Sequence, residues 1–135
     1  MRKERKMRGF TLVELLIVLL ILGVLIGLAV PRYLASVEES KKTTFCSNVR
    51  SIMSALEMYR INEGEQYPAT GSALTASIIK NPDYFSQPPK NPYTNEIMTP
   101  TDATDLNNAP KGNFTYQRVD DNSYTITSTP NCGLQ

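Results

Sequence analysis

An α+β fold is what this sequence predicts, a long N-terminal α-helix packed on a small antiparallel β-sheet, and three patterns predict it. Residues 15–30 (LLIVLLILGVLIGLAV) carry no charged or strongly polar side chain. Phe45, Val49, Ile52, Leu56 and Tyr59 then recur at helical spacing and make one apolar stripe. Residues 113–119 and 123–128 alternate in strand fashion around the turn Asp120, Asp121, Asn122.

The apolar run comes first. From Phe10 to Val30 only Thr11 and Glu14 interrupt it, and as a helix it would be about 31 Å long, the thickness of a bilayer's hydrocarbon. A chain of 135 residues has room for one small domain, which cannot enclose a helix that is apolar all round. The segment therefore reads as a membrane span. Ahead of it Arg2, Lys3, Arg5, Lys6 and Arg8 face the single acid Glu4, so the positive-inside rule places the N-terminus in the cytoplasm and everything after Pro31 across the membrane.

Three membrane readings stay open on these residues. A secretory signal would be cut after Ala29, using the small-x-small triplet Gly27, Leu28, Ala29. An uncleaved anchor is the second. The third keeps the helix and removes residues 1–9, and Glu14 is what sets it apart. A lone carboxylate at the edge of hydrocarbon costs a few kcal/mol, unless it snorkels, is protonated or finds a cation. Cutting between Gly9 and Phe10 would create one, the α-amino group of Phe10. Offered by an axially shifted second copy, that amine joins unlike surfaces, and such a contact propagates as a helical filament unless it closes into a ring.

The segment Gly9, Phe10, Thr11, Leu12, Val13, Glu14 followed by LLIVLLILGVLIGLAVP resembles the processing site and N-terminal helix of type IV prepilins and of their relatives, the pseudopilins of type II secretion and competence systems. The likeness covers residues 2–31, including Gly23 and Pro31. It implies a pilin-like fold, cleavage after Gly9 and N-methylation of Phe10 by a prepilin peptidase. It also implies that Glu14 aids assembly by attracting the Phe10 amine of an adjoining subunit.

Gly23, Gly27 and Pro31 interrupt an otherwise strong helix, and a bend or local melting is expected there because proline removes a backbone donor. The polar stretch beyond Pro31 is helix-compatible, and Glu38 with Lys42 forms a favourable i, i+4 pair, so one helix should run to about Asn62. Residues 62–112 hold seven of the nine prolines, which predicts a tied-down loop region with at most a short helix at 72–80. The runs ALEMYRINEGEQYP and PPKNPYTNEIM resemble the helix end and the pre-sheet segment of pseudopilins, although the second lacks their usual Trp and Gly. A third strand is expected at residues 96–99, beside the hairpin.

Cys46 and Cys132 both fall beyond the span, where an oxidising compartment would pair them; two unpaired thiols are the alternative. Asp120 and Asp121 with Asn122 offer oxygen ligands of the kind calcium takes, but without EF-hand spacing they read as a solvated turn. Asn113, Phe114, Thr115 is a sequon too short to weigh.

Composition excludes much else. Histidine is absent, which removes Ser-His-Asp and Cys-His nucleophile systems and His-ligated zinc, and the net charge of +1 does not indicate nucleic-acid binding. No catalytic residue, metal or cofactor is called for. The expected organisation is a leader (1–9), a span and filament-core helix (10–31), an amphipathic half-helix (32–62) and an outer domain (63–135). The expected function is that of a structural subunit, held as a single-pass protein of the cytoplasmic membrane and then polymerised into a cell-surface or extracellular filament. Its expected partners are further copies of itself, a prepilin peptidase and membrane-embedded pilus or secretion machinery. A pilus subunit is slightly preferred, because of the disulfide, over a major pseudopilin, which the helix-end and NPY likenesses favour. Outside the family the rival is a secreted or membrane-anchored binding domain that uses residues 1–30 only for export.

Overall fold

The computed structural model describes residue 4, residues 9–101, residue 106 and residues 109–134. Helix α1 (Leu12–Asn62) is followed by α2 (Gly71–Leu74), a π-helical turn (Thr75–Ile79) and a hairpin of β1 (Asn113–Asp120) and β2 (Ser123–Thr129). The chain divides into two compact units, one reaching Glu38 and one beginning at Glu39, and α1 contributes to both. The architecture is the α+β one expected.

In the first unit the helix stays continuous through Gly23, Gly27 and Pro31. Of the bend or local melting expected at Gly23, Gly27 and Pro31, melting does not occur. A proline costs its own donor and crowds the carbonyl one turn back, here that of Gly27, and the rest of the ladder stays closed. From Leu12 to Val30 every residue is exposed. By length and composition this helix can cross a membrane.

In the second unit the predicted stripe is the core. Phe45, Val49, Ile52 and Leu56 are completely buried, together with Leu74, Ile78 and Ile79 from the next two turns and Phe114 from β1. Tyr59, the last member of the stripe, is only partly buried and packs on the cluster's edge. Past Asn62 the helix stops because Gly64 and Glu65 adopt φ of 95° and 70°, a left-handed pair that lets the Glu65 N–H reach back to the Arg60 carbonyl. Thr70 then caps α2 through its hydroxyl, which accepts from the Ala73 N–H. The turn after α2 widens to π geometry, the Lys80 N–H bonding the Thr75 carbonyl five residues back.

The hairpin pairs Asn113 with Thr129 through to Arg118 with Tyr124, and a bulge between Arg118 and Asp120 leaves Val119 exposed. Phe114, Tyr116 and Ile126 point inward. On the other face the hydroxyls of Thr115 and Thr127 meet at 2.6 Å, a cross-strand pair. The sheet among the described residues has two strands, not three. Residues 96–99 contribute one isolated bridge, Lys90 to Ile97, because this segment folds back on the prolines before it. The Met98 N–H donates to the Pro89 carbonyl and the Asn91 N–H to the Glu96 carbonyl. Pro100 ends it, and Thr101 reaches β1, its N–H and its hydroxyl both donating to the Phe114 carbonyl.

Candidate functional site

The start of α1 is the first part of the site. Thr11 stands just before the helix, and its hydroxyl accepts from the Glu14 N–H at 3.3 Å while the Glu14 carboxylate accepts from the Thr11 N–H at 3.3 Å. This reciprocal pair is a capping box, which satisfies two donors that a helix start otherwise leaves open and sets a carboxylate on the positive end of the helix dipole. Sequence reasoning treated Glu14 only as a charge in search of a cation. The Thr-x-x-Glu spacing was the signal for its second task. Phe10 is exposed just ahead of this box, and among the described residues nothing lies within 4 Å of where a Cβ on Gly9 would stand. Arg2, Lys3, Arg5, Lys6 and Arg8 lie outside the described residues.

The second part is the staple of the outer unit. Cys46, on the buried side of α1, and Cys132 form a disulfide across 86 residues of sequence, with Cα atoms 5.4 Å apart. Arg50, one turn along α1, donates to the Cys132 carbonyl at 3.5 Å. The structure thus brings together the two cysteines the sequence singled out.

The third part is a network joining the end of α1 to the hairpin tip. Arg60 lies over the Tyr67 ring, 5.4 Å from its centre, and donates to Asn122 Oδ1 at 3.1 Å. Tyr67 donates to Glu57 at 2.8 Å and meets the Tyr124 ring edge-on at 4.7 Å; Tyr116 donates to the Pro68 carbonyl at 2.7 Å. Burial pushes the Tyr116 and Tyr124 phenols up to about 12, and burial with the Glu57 contact raises Tyr67.

Asp120 and Asp121 turn to protein donors. Asp120 accepts from the Asn122 N–H, and this with a hydrogen bond from the Ser123 hydroxyl, the larger cause, holds its carboxyl below the usual range. Asp121 faces Arg118 at 3.4 Å and accepts from Gln66 at 3.5 Å. Among the described residues no three Cys, Asp or Glu side chains converge as a metal site would require. The Asn113 amide of the sequon donates to the Pro110 carbonyl.

An exposed apolar helix with a capped start and a small stapled outer unit defines a pilin-like class of protein. Comparison with known proteins agrees: residues 5–30 match the prokaryotic N-terminal methylation motif, which indicates processing by a prepilin peptidase. Residues 32–129 match type II secretion system protein G. The chain belongs to that family. It is 33% identical over 108 residues to the type II secretion system core protein G of Vibrio cholerae, covering 73% of each chain. The core protein G of Escherichia coli K12 is 32% identical over 110 residues, 73% of this chain and 74% of the relative. That of Dickeya chrysanthemi is 37% identical over 94 residues, 70% of this chain and 60% of the relative. No solved structure matches. Of the two readings within the pilin-like family, these matches fall on the pseudopilin one.

Proposed function

We propose that this chain is a major pseudopilin, a structural subunit that polymerises through its N-terminal helix into the filament of a type II secretion machine. The observation that carries the reading is the surface of α1 from Leu12 to Val30, apolar on every side and covered by nothing in a lone chain. Such a surface is stable only in lipid or against like helices. Residues 1–9 act as a cytoplasmic leader, 10–31 hold the subunit in the cytoplasmic membrane before assembly and form the filament core after it, and 32–62 and 63–135 carry the outer unit. A prepilin peptidase cuts after Gly9 and methylates Phe10. Glu14 leaves its capping box for the Phe10 amine of the next copy, trading one neutral donor, the Thr11 N–H, for a charged one. Gly23, Gly27 and Pro31 are where the span bends to fit its neighbours. The work is assembly, and no residue is assigned to turnover.

Mass spectrometry of the mature N-terminus tests this. Methylated Phe10 supports it, a start at Val30 points to ordinary secretion, and an intact Met1 points to a simple anchor. A pilus subunit is the second reading, the one expected from the sequence on account of its two cysteines. Filaments that persist in cells deleted for the secretion machinery would select it.

A further inference from the structure

Between Gly9 and Glu38 the charged side chains are Glu14 and Arg32, and the apolar run lies between them. Helix α1 is unbroken from one to the other and through Pro31, so Arg32 is fixed in height relative to Glu14, about 27 Å along the axis. Bilayer hydrocarbon is about 30 Å thick, so an upright helix cannot bring both backbones to headgroup level. Two features decide which end sinks. Side chains on a helix lean toward its N-terminus, which turns the exposed Arg32 and Tyr33 back toward the bilayer. Their polar ends then lie among headgroups only if the backbone at Arg32 stands about 5 Å beyond the hydrocarbon, and Glu14 is drawn about 8 Å inside its near edge. The second feature is Pro31, which has no N–H to give the Gly27 carbonyl. In this register that carbonyl falls at the far edge, where water reaches it. With Glu14 at the near edge it would lie about 10 Å deep in hydrocarbon and Arg32 would be inside as well.

We propose that Arg32, with Tyr33 beside it, anchors the processed span to the phosphodiester headgroups of the far leaflet and thereby holds Glu14 inside the hydrocarbon at the near side. The inference rests on the membrane and filament reading above. The guanidinium forks onto phosphate oxygens, and the Tyr33 ring lies at the boundary with its hydroxyl among the headgroups. Arg2, Lys3, Arg5, Lys6 and Arg8 give the unprocessed chain a competing hold on the near leaflet. Cutting after Gly9 removes that hold and leaves Arg32 as the basic side chain of residues 10–40. Glu14, kept below the near headgroups, is cut off from bulk water and from free cations, so the amine of another copy becomes its best partner. Arg32 is therefore a positioning residue: it sets the depth at which the assembly contact is made and takes no part in the contact itself.

The test uses the whole processed chain in vesicles of phosphatidylglycerol and phosphatidylcholine. The sequence has no tryptophan, so an indole introduced by Leu15→Trp reports alone, and quenching by lipids brominated at known acyl positions gives its distance from the bilayer centre. Adding Arg32→Leu should free the helix to slide toward the near side and carry the indole outward by about 3 Å or more, the rise of two residues. Arg32→Lys, which keeps a cation, should hold the parent depth. Solid-state magnetic resonance on the parent with isotope-labelled guanidinium carbons should show contact with lipid phosphorus, and Arg32→Lys should remove it. Equal depths for Arg32→Leu and the parent, a shift in Arg32→Lys as large as in Arg32→Leu, or arginine without phosphorus contact would each overturn the anchor and leave the filament reading intact. If Arg32→Leu aggregates, the contact measurement on the parent decides. A parent chain that does not float with the vesicles would sink the membrane reading, and the anchor with it.

Discussion

Asn91 and Gly112 offer the sharpest quantitative test of how the outer unit is held. Asn91 is the buried polar residue of the core, 8% exposed, and its side chain donates to the Gly112 carbonyl at 2.8 Å while accepting from the Tyr93 N–H at 2.9 Å. Asn91→Ala leaves that carbonyl and that amide without their partner, at about 1–3 kcal/mol each, so about 4 kcal/mol in all. Gly112 has φ of 95°, and a Cβ there would stand 2.7 Å from the Asn91 amide atoms. Gly112→Ala therefore pays about 1–2 kcal/mol for the left-handed backbone and also drives Asn91 out of its bonds, for a total near 5–6 kcal/mol. In the double variant the colliding side chain is gone and the two bonds are already lost, so the cost should stay near 5–6 kcal/mol. The singles and the double then differ from additivity by about 4 kcal/mol. Urea unfolding of the four full-length chains in detergent micelles, followed by tyrosine circular dichroism and with a fixed concentration of sucrose to keep every variant measurably folded, gives the cycle. Additivity within about 0.5 kcal/mol would refute the argument that Gly112 is required by Asn91.

Phe114→Ala empties the centre of the core, where the ring is completely buried, and should cost about 3–5 kcal/mol in the same unfolding assay. Replacing both cysteines by serine should cost about 4–5 kcal/mol, from the loop of 86 residues, and the loss should appear equally in unaltered protein unfolded under reductant. Tyr116 and Tyr124 are held protonated to about pH 12 in the folded chain against 10.0 when unfolded. Their contribution to stability is complete below pH 10 and is lost as pH climbs from 10 through 12; the part of the tyrosinate absorbance that Tyr116→Phe and Tyr124→Phe remove should rise together with loss of near-ultraviolet dichroism rather than before it. Glu14→Ala should lower incorporation into filaments by at least tenfold when competing with unaltered subunits, whereas Thr11→Ala, which opens the capping box and keeps the carboxylate, should have the smaller effect. Equal incorporation of Glu14→Ala would remove the amine contact from the account.

What the sequence made legible follows from periodicity. The stripe from Phe45 to Leu56 and the alternation of residues 113–128 are written in repeated apolar positions, and both elements and the inward faces of the core could be placed from them. Cys46 and Cys132 could be paired because topology left them in one compartment. The loop region between was harder. Its order comes from single side chains bonding backbone far away in sequence, as Asn91 does to Gly112 and Tyr116 to Pro68, and no period announces such contacts. The Asn-Pro step at residues 91–92 was a turn signal, and Tyr93 donating back to the Asn91 side chain is the turn it forms. The expected third strand failed for the same reason. Residues 96–99 look strand-like in isolation, but prolines at 88, 89 and 100 deny them a ladder on either side.

A disulfide does not choose between a pilus and a pseudopilus, and the family match falls on the pseudopilin. A staple answers a need of the outer unit alone: a small core with a C-terminal segment that runs out past the last strand. Nothing in that need depends on how long the filament grows or where it projects, since the filament reading rests on the exposed apolar span of residues 15–30, which carries neither cysteine. Family identity is spread differently along the chain. The start of α1 matches a motif defined by N-terminal methylation, whereas residues 32–129, a range that holds the half-helix, the loop region and the hairpin but not Cys132, match protein G. Exchanging residues 32–129 with those of a core protein G relative, while retaining residues 1–31, should therefore preserve processing after Gly9 and transfer the choice of machinery; a chimera that keeps its original assembly route would place that choice in the first 31 residues instead.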